Sequence, residues 1–267
     1  ANAIHPFAFL GEVATPFGIA VVHSCFNVAA TLVLLPFSNG LVKLACLTLP
    51  THEDVKEMSE TDKTLSLLDP RFLDTPAYAV EQSRQVASVM ADKSRKAMDL
   101  AMELLQGYDE AKAEQVAQME TDVDRFEDEL GTYLVKLSSR QLSGKDSETL
   151  NTILHCIGDF ERISDHARNV KEAAQEMYDK KLDFSDKAQE ELKVFERAVH
   201  DILDITMNSF IKGDLNLARQ VEPMEEVIDG LSLDVKQRHV RRLRKGKCTI
   251  ELGFILSDVI TNFERVS

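Results

Sequence analysis

The sequence has few cysteines, and those it has are far apart. Cys25, Cys46, Cys156 and Cys248 form no C-x-x-C pair. Disulfide scaffolds and thiolate zinc sites need cysteines that are paired or closely spaced. The cysteine content therefore argues against both classes and fits a reducing compartment.

Basic residues are scarce relative to acidic ones. The 267 residues include 31 Lys and Arg against 45 Asp and Glu, which gives a formal net charge of −14. Binding to the phosphates of nucleic acids needs a net basic surface. The charge balance therefore argues against a nucleic acid as the main partner.

Motifs of the common enzyme classes are absent. The sequence contains no Gly-rich phosphate loop, no nucleophile elbow and no His-Glu-x-x-His motif. His155 and Cys156 share a helical turn but lack the further partners of a metal or nucleophile site. We therefore expect no enzymatic activity.

The first 50 residues carry almost no charge, with Glu12 as their one acid and Lys43 as their one base. Residues 17–37 are apolar over a length that can cross a bilayer core of about 30 Å. A second apolar run, residues 41–49, is too short to span and predicts a half-helix. We expect these 50 residues to end a membrane domain; a buried helix of a soluble protein is the alternative.

Polar side chains interrupt the predicted membrane helix on one face. His23 and Asn27 lie four residues apart, with Ser24 beside them. Polar groups at that depth are costly unless they face protein or a water-filled pathway. We predict that His23 and Asn27 either bond neighbouring helices or line a transport pathway.

The rest of the sequence predicts helices only. Residues 51–74 are polar with little periodicity, and we interpret them as a linker. From Thr75 onward apolar residues recur at helical spacing, and no strand-like alternation competes. We predict an all-α region of six long helices in two sets of three, the first repeat at about 75–182 and the second at 185–267.

An internal repeat relates the two sets of helices. Residues 119–124, METDVD, align with 224–229, MEEVID, and residues 160–164, FERIS, align with 263–267, FERVS. Each repeat therefore carries Glu-x-x-x-Asp pairs on two successive helices. The last pair lacks its Asp, and the sequence begins with Ala rather than Met, so we expect a fragment of a longer protein.

Paired carboxylates of this kind predict a cation site. Residues four apart share a helix face, where like charges repel and raise one another's pKa. A bound cation reverses the sign of that interaction, and carboxylates suit hard metal ions. The alternative is a solvated acidic face, because acid pairs such as Glu53 and Glu57 also occur elsewhere. The candidate ligands are Glu120, Asp124, Glu161 and Asp165 in the first repeat and Glu225, Asp229 and Glu264 in the second.

The segment ERISDHARNV, residues 161–170, resembles the signature of PhoU-type domains, and the resemblance covers about residues 75–267. It implies a tandem of two antiparallel three-helix bundles that regulates phosphate signalling. It also implies that the four acids of the first repeat form one metal site and the three of the second repeat form most of another. Together with the ligand chemistry, it leaves Fe, Zn, Mn or Mg as the metal.

The segments HSCFN, residues 23–27, and LLDPRFLDTPAYAVEQSR, residues 67–84, resemble bacterial sodium/phosphate cotransporter proteins. The Gln-Ser-Ser-type substrate motifs of that family are absent, so the transport core is expected upstream of Ala1. The resemblance implies a multi-pass protein of the bacterial inner membrane with its PhoU-like domain in the cytoplasm. Sodium would be the coupling ion and inorganic phosphate the substrate.

Three hypotheses for the function follow. The main one is the C-terminal part of a sodium-dependent phosphate cotransporter, with lipid, a second copy or a phosphate-signalling protein as partner. The alternative is a free-standing PhoU-type regulator without transport activity. A carboxylate-bridged di-iron oxidase is disfavoured, because that chemistry uses Glu-x-x-His and Ser164 and Ser267 stand where the His would be.

One dense basic run, KQRHVRRLRKGK at residues 236–247, stands out in the acidic region. Cations suit the carboxyl end of a helix, where the helix dipole is negative. The alternative is a contact with anionic lipid or with a phosphorylated partner.

Overall fold

The computed structural model describes residues 16–34 and 58–267. The chain divides into two units between Glu57 and Met58. The described residues of the first unit form one helix, α1 (Pro16–Leu34). Within α1 the Asn27 amide donates to His23 Nε2 at 3.0 Å, and both side chains are exposed. These two polar residues therefore bond each other, one turn apart; their role in packing or transport remains a prediction.

The membrane prediction does not hold for the residues that the structure describes. None of their helices is both long and apolar enough to cross a membrane. The 19 residues of α1 include the polar His23, Ser24 and Asn27, and polar groups are costly within a bilayer. The predicted transmembrane helix is therefore not supported, and the predicted multi-pass location in the bacterial inner membrane is wrong. The half-helix predicted at 41–49 lies outside the described residues.

The second unit consists of long helices joined by short connections, and residues 58–267 contain no strand. This confirms the predicted all-α class and the six long helices. A 3-10 helix, Pro70–Asp74, lies between the first two α-helices of the unit. The helices are α2 (Glu60–Leu65), α3 (Pro76–Gln106), α4 (Glu110–Ser138), α5 (Gly144–Lys180), α6 (Asp186–Lys212), α7 (Leu215–Ala218), α8 (Val221–Arg244) and α9 (Ile250–Val266).

Local sequence sets the ends of these helices. The side chains of Asp109, Ser143 and Thr249 each accept a hydrogen bond from a backbone N–H in the first turn of α4, α5 and α9. α6 ends at Gly213, whose φ of 64° lies in the left-handed region that glycine tolerates best. Thr75 precedes α3 at the predicted start, but its hydroxyl makes no capping bond.

The segment before α3 belongs to the packed unit. Residues 58–74 fall within the predicted linker, yet Leu65, Leu68 and Leu73 are buried. α2 contacts α3 and α4, and so does the 3-10 helix. These residues therefore form part of the helical core, because three leucines cover apolar surface that a free connector would leave exposed to water.

The two repeats share one hydrophobic core. Their buried residues form a single contiguous cluster. Phe160 of α5 meets Phe210 of α6 edge to face, with ring centroids 5.0 Å apart, and Phe195 of α6 meets Phe263 of α9 at 5.4 Å. The first pair joins the two repeats, and the second pair holds α6 against α9 within the second repeat.

Candidate metal centre

Three carboxylates from two adjacent helices meet in the first repeat. One oxygen from each of Glu120, Asp124 and Asp165 lies within 4.8 Å of the others. Glu120 and Asp124 are one turn apart on α4, and Asp165 approaches them from α5. Across residues 16–34 and 58–267, this is the one group of three or more potential ligand atoms at such separations.

The charges of this cluster are mutually unfavourable. Burial raises the pKa of Asp124, and the carboxylates of Glu120 and Asp165 raise it further. Burial also raises the pKa of Glu161, followed by the charges of Asp165 and Asp124. Glu161 is not part of the three-oxygen group, but it shares the same electrostatic patch. Ionising these acids together costs free energy, and a nearby cation would lower that cost because it attracts the ionised carboxylates.

A protein cation already contacts the cluster. Arg168 Nη1 donates to Glu120 Oε1 at 2.5 Å, and Arg168 Nε donates to Glu172 Oε1 at 3.4 Å. The side chain of Glu120 is only 9% exposed, whereas that of Arg168 is 51% exposed. The guanidinium therefore gives a buried carboxylate its charge partner.

Arg168 is a functional residue that the repeat motif did not identify. It follows Asp165 by three residues in the segment 161–170, which places both side chains on one face of α5. A basic residue at that spacing from a Glu-x-x-x-Asp pair is the signal that could have identified it.

The second repeat arranges its acids differently. Glu264 Oε2 accepts hydrogen bonds from Ser232 Oγ at 2.6 Å and from Lys236 Nζ at 2.7 Å. The bonds from Lys236 and Ser232 lower the pKa of Glu264. Glu225 and Asp229 lie exposed on α8. The described residues of this repeat hold no group of three close ligand atoms, so the three predicted ligands do not converge here as those of the first repeat do.

The repeat alignment explains the difference. Continuing the match of 119–124 with 224–229 along the helix places Lys236 opposite Gly131 and Ser232 opposite Glu127. The second repeat thus has a hydroxyl and an ammonium donor beside its acid. The first repeat has Glu127 instead, whose charge contributes to the raised pKa of Glu161. Repulsion therefore accumulates in the first repeat and is relieved in the second.

The other residues singled out in the sequence lie away from the cluster or pair elsewhere. His166 Nδ1 lies 2.8 Å from Asn262 Oδ1 of α9, so it links the repeats. In the basic run, Arg242 Nη1 donates to Glu191 Oε2 of α6 at 2.6 Å. These contacts assign both residues to the packing of the unit.

The chain matches the PhoU domain family over residues 87–174 and 193–267. It belongs to the PhoU domain family. The match lies wholly within the second unit and includes the helices that carry the carboxylates. It gives no support to the predicted membrane domain of a sodium/phosphate cotransporter.

Curated and solved relatives agree with this assignment. A Thermotoga maritima protein described as "Phosphate-specific transport system accessory protein PhoU homolog 1" is 23% identical over 194 residues, covering 70% of this chain and 83% of the relative. PhoU from Pseudomonas aeruginosa has a TM-score of 0.65 at 20% identity, over 70% of this chain and 88% of that one. The phosphate transport system regulatory protein PhoU from Streptococcus pneumoniae has a TM-score of 0.61 at 16% identity, over 72% and 89%. At these identities the structures establish the PhoU fold.

Proposed function

We propose that this PhoU-domain protein regulates phosphate transport, binds a metal ion through its first repeat and does not itself transport phosphate. Membership of the PhoU family carries the proposal. The Thermotoga relative is described as an accessory protein of a phosphate-specific transport system, and the Streptococcus protein as a regulatory protein. We extend that regulatory role to this chain, with a phosphate-signalling protein as its expected partner.

The regulator hypothesis has more support than the cotransporter hypothesis. The membrane span that a cotransporter fragment requires is not found among the described helices, and no observation supports sodium as a coupling ion. Residues 67–84, which resemble cotransporter sequences, lie within the packed unit and include the 3-10 helix and the start of α3. They are therefore accounted for by the helical domain alone.

The donor set of the first repeat fits a hard metal ion. Glu120, Asp124 and Asp165 offer three carboxylate oxygens within 4.8 Å, and Glu161 stands beside them. The guanidinium of Arg168 on Glu120 is a stand-in cation at the same carboxylate. Carboxylates are ligands for Mg, Mn and Fe, and for Zn as well. A bound ion would neutralise the patch and link α4 to α5.

Melting curves with and without chelator test the metal site. We expect added Mn²⁺, Fe²⁺, Zn²⁺ or Mg²⁺ to stabilise the wild type, by about 2.7 kcal/mol at a concentration one hundred times the dissociation constant. Asp124→Asn and Asp165→Asn should reduce metal content and this stabilisation. In chelator the same variants should be as stable as the wild type or more stable, because they remove repulsion.

Asp229→Asn is the matched control, since Asp229 occupies the repeat position of Asp124. We expect it to keep the metal response of the wild type. A wild type that melts at one temperature in chelator and in all four metals would contradict the proposed site.

Phosphate uptake in a bacterial strain lacking its own PhoU protein tests the regulatory role. We expect the wild-type chain to change uptake or expression of a phosphate-responsive reporter, and Asp124→Asn to weaken that effect. Wild-type protein that binds metal in vitro but leaves both readouts unchanged would contradict the regulatory role and leave the metal site standing.

A further inference from the structure

We infer that Arg168 is an internal competitor of the metal: its guanidinium holds Glu120 in the metal-free chain and has to release Glu120 when an ion binds. The inference rests on the metal site proposed for the first repeat. It assigns to a residue outside the Glu-x-x-x-Asp pairs the control of how tightly that site binds.

The contacts of Glu120 carry the inference. Its Oε1 accepts from Arg168 Nη1 at 2.5 Å, and its Oε2 lies 3.4 Å from the Thr121 hydroxyl. With its side chain 9% exposed, Glu120 has little water to replace a lost partner. An ion approaching Asp124 and Asp165 therefore meets a third carboxylate whose charge is already neutralised.

Arg168 has a second anion within reach. Its Nε already donates to Glu172 Oε1 at 3.4 Å, one turn further along α5. Its side chain is half exposed, so rotation toward Glu172 displaces water rather than packed side chains. The guanidinium can thus exchange one carboxylate for another when it leaves Glu120, which makes the competition reversible.

The second repeat shows the contrasting arrangement. There Lys236 and Ser232 bond the same oxygen of Glu264, and Glu264 is the one acid that Lys236 pairs with in the described part of the chain. Because Lys236 has no other acid to pair with there, its ammonium group stays on Glu264 and keeps a metal ion from that carboxylate. The first repeat, with an arginine shared between two acids, is the one in which a cation can be exchanged.

The sign of the effect follows from the charges. Arg168→Gln removes the competing cation and leaves three carboxylates for the metal, so affinity should rise. The same change leaves buried Glu120 without its partner, so the metal-free chain should become less stable. A residue with a merely structural role would lower stability without strengthening metal binding.

The test is a titration of the full 267-residue chain with Mn²⁺, in which the electron paramagnetic resonance signal of free Mn²⁺ measures binding. Melting curves in chelator measure the stability of the metal-free chain. We expect Arg168→Gln to bind Mn²⁺ more tightly by on the order of tenfold and to melt lower in chelator. Arg168→Lys keeps the charge but not the two-pronged geometry and should fall between the two.

Lys180→Gln is the matched control. Lys180 also lies on α5 and also pairs with two acids, Glu176 and Glu251, so its removal changes the net charge equally. We expect its Mn²⁺ affinity to match that of the wild type.

The outcomes separate the inference from the proposed function. Equal or weaker Mn²⁺ binding by Arg168→Gln, with clear binding by the wild type, would overturn the competitor role and leave the metal site intact. Binding by Arg168→Gln alone would support the competitor role and would contradict metal binding by the wild type. No binding of Mn²⁺, Fe²⁺, Zn²⁺ or Mg²⁺ by either protein would overturn both.

Discussion

Glu196 of α6 is a buried acid with one bonded oxygen and one that finds no partner among the described residues. Its Oε2 accepts from the Gln106 amide at 2.6 Å, while Oε1 is buried without a hydrogen bond. Burial raises the pKa of Glu196, and the bond from Gln106 opposes this only in part. Carrying a charge here therefore costs the folded protein stability.

The pH dependence of stability has a definite sign at this residue. The folded-state pKa lies above the ordinary value of 4.5, so at pH values between the unfolded and folded pKa the folded chain holds a proton that the unfolded chain releases. The stabilisation that the neutral form of Glu196 gives the folded state is therefore fully present below the pKa of the unfolded state. It is lost as the pH rises through the pKa of the folded state.

We expect Glu196→Gln to gain stability relative to the wild type as the pH rises from 4 to 8, by on the order of 1–3 kcal/mol. Urea unfolding at several pH values measures the difference. Glu190→Gln, an exposed acid of the same helix, is the control and should show no comparable trend. A constant difference between Glu196→Gln and the wild type across this range would contradict the buried-charge interpretation.

Helices α8 and α9 approach each other closely at a glycine. A Cβ placed on Gly253 would lie 2.7 Å from Nε2 of His239, a residue only 8% exposed. Contacts under 3.0 Å are essentially never made by real Cβ atoms. The close packing of α8 against α9 therefore depends on residue 253 being a glycine, which has no side chain.

We expect Gly253→Ala to destabilise the protein by about 1–3 kcal/mol, because the buried histidine ring has to shift. Gly230→Ala offers the opposite case. Gly230 lies within α8 and a Cβ there meets nothing within 4 Å, so alanine should stabilise by about 0.5–1 kcal/mol. Chemical denaturation of both variants measures the effects, and a neutral or stabilising Gly253→Ala would show that α8 and α9 adjust freely.

The whole second unit has one core, which predicts cooperative unfolding of both repeats. Phe263 of α9 is fully buried against Phe195 of α6, and α6 in turn meets α5 through Phe210 and Phe160. A defect in the second repeat should therefore reach the first. The chain has no tryptophan, so tyrosine dominates its fluorescence. The tyrosines all lie in the first repeat: Tyr78, Tyr108, Tyr133 and Tyr178.

We expect Phe263→Ala to lower the free energy of unfolding by about 3–5 kcal/mol. Tyrosine fluorescence, from the first repeat, and far-ultraviolet circular dichroism, from all helices, should shift together. Val227→Ala, at an exposed position on α8, should leave both midpoints near those of the wild type. A tyrosine transition that keeps its wild-type midpoint in Phe263→Ala would mean that the repeats unfold independently.

Much of the fold was predictable because it depends on local spacing. Apolar periodicity and punctuating glycines located the six long helices, and the repeat located the acid pairs. Residues 58–74 were misjudged as a linker because the burial of Leu65, Leu68 and Leu73 depends on surface supplied by distant helices. The membrane span was predicted from the length and apolar character of residues 17–37, but none of the described helices is both long and apolar enough to cross a membrane.

The sequence by itself determined the helices, the PhoU resemblance and the pairing of Glu120 with Asp124, since residues four apart share a face of any α-helix. Only the tertiary structure decided which acids meet. Packing of α4 against α5 brings Asp165 and Arg168 to Glu120, whereas packing of α8 against α9 brings Lys236 to Glu264. Two repeats with the same motif therefore differ in charge balance. The spacing of residues along one helix does not determine which side chains of a neighbouring helix they will meet.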